Sequence, residues 1–144
     1  MELFAAAFVS FFVVINPAGV AITFAAMTAD ASPGWRRAMA FRAVLVATLV
    51  LAGFGFGGEL LLSQLGVTFD AFRIAGGALL FLIAVDMLFE RRAARRAETA
   101  IAVNEARAKG EMDDISVFPL AIPLIAGPGA IATVMLYLTE HRAP

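Results

Sequence analysis

The sequence predicts an all-α fold, a polytopic bundle of transmembrane helices, and three observations carry that prediction. The chain is 61% hydrophobic and 16% charged, where a soluble domain carries about a quarter charged residues. Its charges cluster in short stretches between long runs almost free of them, the pattern of a multi-span membrane protein. Four of those runs each reach the roughly 20 residues a helix needs to cross a hydrocarbon core about 30 Å thick. They have to be helices, because an open strand in lipid leaves backbone groups unpaired. The whole chain, residues 1–144, reads as one integral membrane domain.

The first span covers about residues 3–27. Its start, "MELFAAAFVSFF", has Glu2 as its only early charge, whereas a secretory leader wants basic residues there, so the segment reads as a retained span. The second covers about 38–65, with Glu59 near its end. Gly53 and Gly57 form a small-xxx-small pair that predicts close helix packing. The third covers about 69–89. It carries Asp70 and Arg73 near its start, Gly76 and Gly77 in its middle, and Asp86 one turn from its end. The fourth covers about 115–138. Between the last two lies "ERRAARRAETAIAVNEARAKGEMDD", a connection of about 90–114 that reads as a helix or a partly disordered arm, its charges solvated or, alternatively, meeting lipid headgroups or a partner protein, with Arg91 or Arg92 pairing with Asp86. Basic residues fill the first connection (Arg36, Arg37, with Arg42 at its edge) and the third, and are missing from the second before Arg73. The positive-inside rule makes that basic side cytoplasmic. The N-terminus and the tail "EHRAP" then face outward.

Two of the spans break themselves. "VVINPAGVA" places Asn16, Pro17 and Gly19 inside the first, and "PLAIPLIAGPGAIATVML" places Gly127, Pro128 and Gly129 inside the fourth. Proline lacks an N–H and clashes with the preceding turn, so each site interrupts a helix. The freed N–H and C=O groups are tolerable only where protein or a cavity satisfies them. Spans one and four run in opposite directions, and paired Gly/Pro interruptions in two halves of opposite topology mark a transporter binding site. The half-helix after each break exposes N–H donors with partial positive charge, suited to a substrate carboxylate. Asn16, Pro17, Gly19, Gly127, Pro128 and Gly129 are thus the candidate substrate-binding residues, and Asp70, Arg73 and Asp86 the candidates for a gate or a coupling group.

Taken together, "INPAG", "FRIAGGALLFLIAVDMLF" and "PLAIPLIAGPGAI" resemble the MarC family of bacterial inner-membrane proteins over essentially the whole chain. Asn16, Pro17 and Gly19 match its first motif, Phe72, Arg73, Gly76 and Gly77 its third-helix motif, and Gly127, Pro128 and Gly129 its second broken helix. The resemblance implies transport of small neutral amino acids by six spans arranged as two inverted three-helix repeats, of which this sequence shows four. No catalytic triad, HExxH, P-loop or CxxC is present and cysteine is missing altogether, so no enzyme, metal or cofactor is expected. The net charge of -1 gives no reason to expect nucleic acid. The expected partners are the lipid bilayer and a small-molecule substrate, with room for a homo-oligomer. The alternative is a non-transporting assembly or regulatory membrane protein, or an inactive fragment.

Overall fold

The computed structural model describes residues 1–110 and 114–140. The expected outward tail from His141 onward lies outside the described residues. In chain order the elements are α1 (Glu2–Ile15), α2 (Pro17–Met27), α3 (Pro33–Gln64), α4 (Phe69–Leu88), α5 (Arg91–Ala108), an irregular proline segment (Ser116–Ile125) and α6 (Pro128–Glu140). The stretches Glu2–Met27, Pro33–Gln64 and Phe69–Leu88 are long and apolar enough to cross a bilayer. The proline segment and α6, bent by 58°, make a fourth if taken as one span.

Local chemistry sets the helix ends. Ser32 and Thr68 accept hydrogen bonds from the backbone N–H of Trp35 and Ala71, capping α3 and α4. Pro33 opens α3, where its missing N–H costs nothing. Gly66, at φ 69°, ends α3 in the left-handed conformation and lets Val67 N–H reach back to Leu62 O at 2.9 Å.

α6 lies against α3, α4 and α1, and glycines make the close approach. A Cβ on Gly55 would stand 2.6 Å from Leu138 Cδ1, and one on Gly58 2.7 Å from Met135 Cε. Gly76 of α4 meets Leu136 in the same way at 3.4 Å. The expected pair is not the one in contact: Gly53 and Gly57 face open space, as does Gly77. On the rest of the surface Phe8, Phe41, Leu49 and Phe81 are exposed, as suits side chains that face lipid.

Two expectations are corrected. The last span is not a helix broken at a single point. Phe118 and Ile122, each preceding a proline, adopt extended φ/ψ, because proline drives its predecessor out of the helical region. The peptide bonds Phe118–Pro119 and Ile122–Pro123 are cis, and wide turns close around them through Leu120 N–H to Ile115 O and Ala126 N–H to Ala121 O. The connection after α4 forms one of the expected alternatives, a helix, but its charges are not all solvated. α5 packs along α2 and buries Arg96, Ala100 and Val103. Met27, Met39, Ala43, Ala100, Val103, Ile115, Leu120 and Leu124 form one buried cluster, so the dry core joins α2, α3, α5 and the proline segment at the basic end of the molecule.

Candidate functional site

At the first break Asn16 takes φ 54°, ψ 69°, a left-handed conformation that asparagine tolerates better than most residues. Its side-chain oxygen accepts from Gly19 N–H at 3.1 Å, and Val20 N–H bonds Asn16 O at 3.0 Å. At the start of α2 the N–H of Gly19 is thus capped by the side chain of the break residue itself. The carbonyls at the end of α1 are satisfied by arginines from α5. Arg92 donates to Val14 O at 3.0 Å and Arg96 to Ile15 O at 3.3 Å. The negative end of the α1 dipole thus meets two guanidinium groups, with hydrogen bonds from charged donors worth about 1.5–3 kcal/mol each. Arg96 is 8% exposed. Burial, and then the neighbouring Arg92, lower its pKa, while burial lowers that of Arg92 against the opposing pull of Asp86. The guanidinium lies so close over Gly19 that a Cβ there would overlap it, which explains the glycine.

The second break is built differently. Ile131 N–H bonds Gly127 O at 3.0 Å, starting α6. Among the described residues no side chain accepts from the N–H of Gly129 or Ala130. Beside this helix start is a cavity of about 260 Å³ bordered by Asp86, Arg92, Arg95, Arg96, Pro128 and Gly129. Asp86 pairs with Arg95 at 3.3 Å, one turn beyond the expected Arg91 or Arg92. Arg91 instead lies over the Phe89 ring at 5.9 Å. The site therefore combines cationic guanidinium groups, a helix N-terminus and one carboxylate.

The two breaks meet. Ser10 and Tyr137 hydroxyls are 2.9 Å apart, and Gly129 lies beside Val14, whose Cγ1 would be 3.1 Å from an added Cβ. Contacts that pair 10 with 137 and 14 with 129 mean that α1 and α6 run antiparallel. The six candidate residues nevertheless do not line one cavity. Pro128 and Gly129 border the arginine pocket, Asn16 and Gly19 border a separate cavity of about 230 Å³, and Pro17 faces a third beside Ala43 and Val44. Arg92 and Arg96 border both of the first two, standing between the breaks. The two breaks differ in depth: Pro17 lies beside Val44, only the twelfth residue of the 32-residue α3 and so toward the basic end, while Ala126, next to the second break, packs with Ala47 and Val50 near the middle of α3. Asp70 and Arg73 sit at the far end of α4, with Arg73 over the Phe69 ring at 5.8 Å. They border none of these cavities.

Sequence reasoning missed the arginines. The signal was there: Arg92, Arg96, Ala100, Val103 and Arg107 recur at spacings of three or four, one face of a helix. With arginine at both ends of the stripe, that face reads as solvated.

These elements define a polytopic helical membrane protein with two interrupted helices around a polar pocket. The chain belongs to the MarC family: all 144 residues match the family described as MarC family integral membrane protein. Among its relatives, a UPF0056 membrane protein of Methanocaldococcus jannaschii is 37% identical over 140 residues, 97% of this chain and 66% of the relative. The UPF0056 membrane protein YvbG of Bacillus subtilis is 37% identical over 134 residues, 93% of this chain and 62% of the relative. YhcE of Escherichia coli, with the same description, is 33% identical over 140 residues, 94% of this chain and 61% of the relative. The chain thus spans about two-thirds or less of the length of these relatives. No solved structure matches it.

Proposed function

We propose that this chain forms the solute-handling part of a secondary transporter for small neutral solutes such as amino acids. The observation that carries the reading is the arginine pocket at the start of α6. Arg92, Arg95 and Arg96, with the N–H groups at the helix start, suit a carboxylate, and Asp86 suits an ammonium group. A cavity of about 260 Å³ has room for about eight or nine waters at ~30 Å³ each, and so for a solute of a similar number of heavy atoms. The antiparallel approach of the two interrupted segments supports an inverted repeat, in which the halves rock about a fixed site. The gathering of basic residues at one end supports placing that end in the cytoplasm, with the N-terminus outside.

The test is uptake of labelled neutral amino acids by proteoliposomes that hold the full natural protein. Asp86→Asn removes the ammonium partner, and KM is expected to rise by about tenfold or more, the scale of one lost charged hydrogen bond. Uptake with unchanged KM in this variant rejects the pocket as the binding site.

A further inference from the structure

We infer that Ile83 closes the solute passage, separating the arginine pocket from a second, apolar cavity; the inference rests on the transport reading above. That second cavity, of about 360 Å³, lies between α1, α4 and α6. Its walls are aliphatic apart from a few hydroxyls, chiefly the Ser10–Tyr137 pair and Thr133. A mainly apolar hollow with a few convergent polar groups is the usual form of a small-molecule site.

The two cavities adjoin on neighbouring faces of α4. Asp86 borders the arginine pocket and Leu80, Ala84 and Met87 border the apolar cavity, while Ile83 borders both. On α6, Gly129 borders the first, and Thr133 and Tyr137 border the second. At the junction Ile83, Val14 and Leu80 converge on Gly129. An added Cβ there would be 2.7 Å from Ile83 Cδ1, 3.1 Å from Val14 Cγ1 and 3.8 Å from Leu80 Cδ2.

This contact sits where the two cavities adjoin. It consists of branched aliphatic side chains against a bare backbone, which a rotamer change or a small helix shift can open. A polar contact here would hold the closed form too firmly or leave a buried group unpaired on opening. Gly129 then has two jobs: it starts α6 and supplies the flat surface on which Ile83 closes. Of the three aliphatic groups, Ile83 makes the nearest approach and alone borders both cavities, so its size sets the closure.

These 144 residues hold no cysteine, so once any cysteine outside them is replaced by serine, single introduced thiols report without background and need no transported solute. In the full natural protein, carried in sealed vesicles, a membrane-impermeant methanethiosulfonate is added on the α5 side. Thr99→Cys, in the arginine pocket, is expected to react readily. Ser10→Cys, in the apolar cavity, is expected to react slowly with Ile83 present and about tenfold faster with Ile83→Ala, the gain available if the native closure opens about 10% of the time. Ile83→Val, the milder change, is expected to fall between them and keeps the test alive if the alanine variant fails to fold. Equal Ser10→Cys rates across the series overturn the assignment. If uptake fails while the graded rates hold, the transport reading falls and the closure stands. If uptake persists with flat rates, the closure alone falls.

Discussion

The interruption at Asn16 and the one at Gly127–Gly129 each combine a proline with small residues, yet they treat the backbone in opposite ways. At Asn16 the freed groups are taken up inside the fold, the N–H of Gly19 by the asparagine side chain and the carbonyls of Val14 and Ile15 by Arg92 and Arg96. At Gly129 the first N–H groups of α6 have no side-chain acceptor among the described residues, and the cavity beside them is lined with guanidinium groups. The first break anchors arginines, and the second presents those same arginines with a helix start. A break in a membrane helix is therefore not in itself a binding site. What decides is whether the fold has already paired the groups it frees.

The comparison can be broken by substitution. The largest effect is expected from Gly129→Leu, whose side chain has to displace Ile83 and Val14. Uptake should be abolished while membrane insertion, read by protease protection, is retained. Next comes Arg96→Met, which removes a buried charge and its bond to Ile15 O. A loss of about 1.5–3 kcal/mol is expected, read by thermal unfolding in detergent, with Arg96→Lys intermediate because it keeps charge without the planar fork. Asn16→Ala removes a cap worth about 1 kcal/mol and forces alanine into a left-handed conformation. Asn16→Gly should recover most of that stability and should leave KM unchanged. A large KM change in Asn16→Gly would make the two breaks equivalent after all.

The smallest effect concerns Asp114. It accepts from Ser116 N–H and Oγ at 2.7 and 2.5 Å and pairs with Arg42 at 3.2 Å. These bonds to Ser116, with help from Arg42, hold its carboxyl below the usual range. Its contribution to stability is present above the ordinary carboxylate pKa and is lost as pH falls through the depressed one. Asp114→Asn should remove that dependence and cost no more than about 1 kcal/mol, seen as a flatter melting temperature on acidification.

Where hydropathy decides the fold, the sequence was legible. The apolar runs coincide with the long apolar helices, the second of which starts five residues earlier, at Pro33, and Pro17 and Pro128 marked both interruptions. Register within a span was less legible: Gly53 and Gly57 read as the packing pair, although Gly55 and Gly58 receive α6, because a span apolar on all sides gives no periodic signal. Pro119 and Pro123, four residues apart, already argue against a straight helix, and they account for the irregular segment. α5 was the least legible element. Its arginines are buried because they meet carbonyls at two helix ends, a pairing created by tertiary structure that composition alone hides.

α5 bonds to α2 and its flanks at both extremities. Arg92 and Arg96 hold Val14 and Ile15, while Asn104 and Arg107 hold Ala26 and Met27 at 3.0 and 2.9 Å. Both series ascend together, so α5 runs parallel to α2 and is fastened to that part of the chain near both of its ends. Fastened at both ends, the two helices are expected to turn together. A force applied to the solvent side of α5, such as a bound antibody fragment or a tether, is thereby delivered to Asn16 without passing through the lipid.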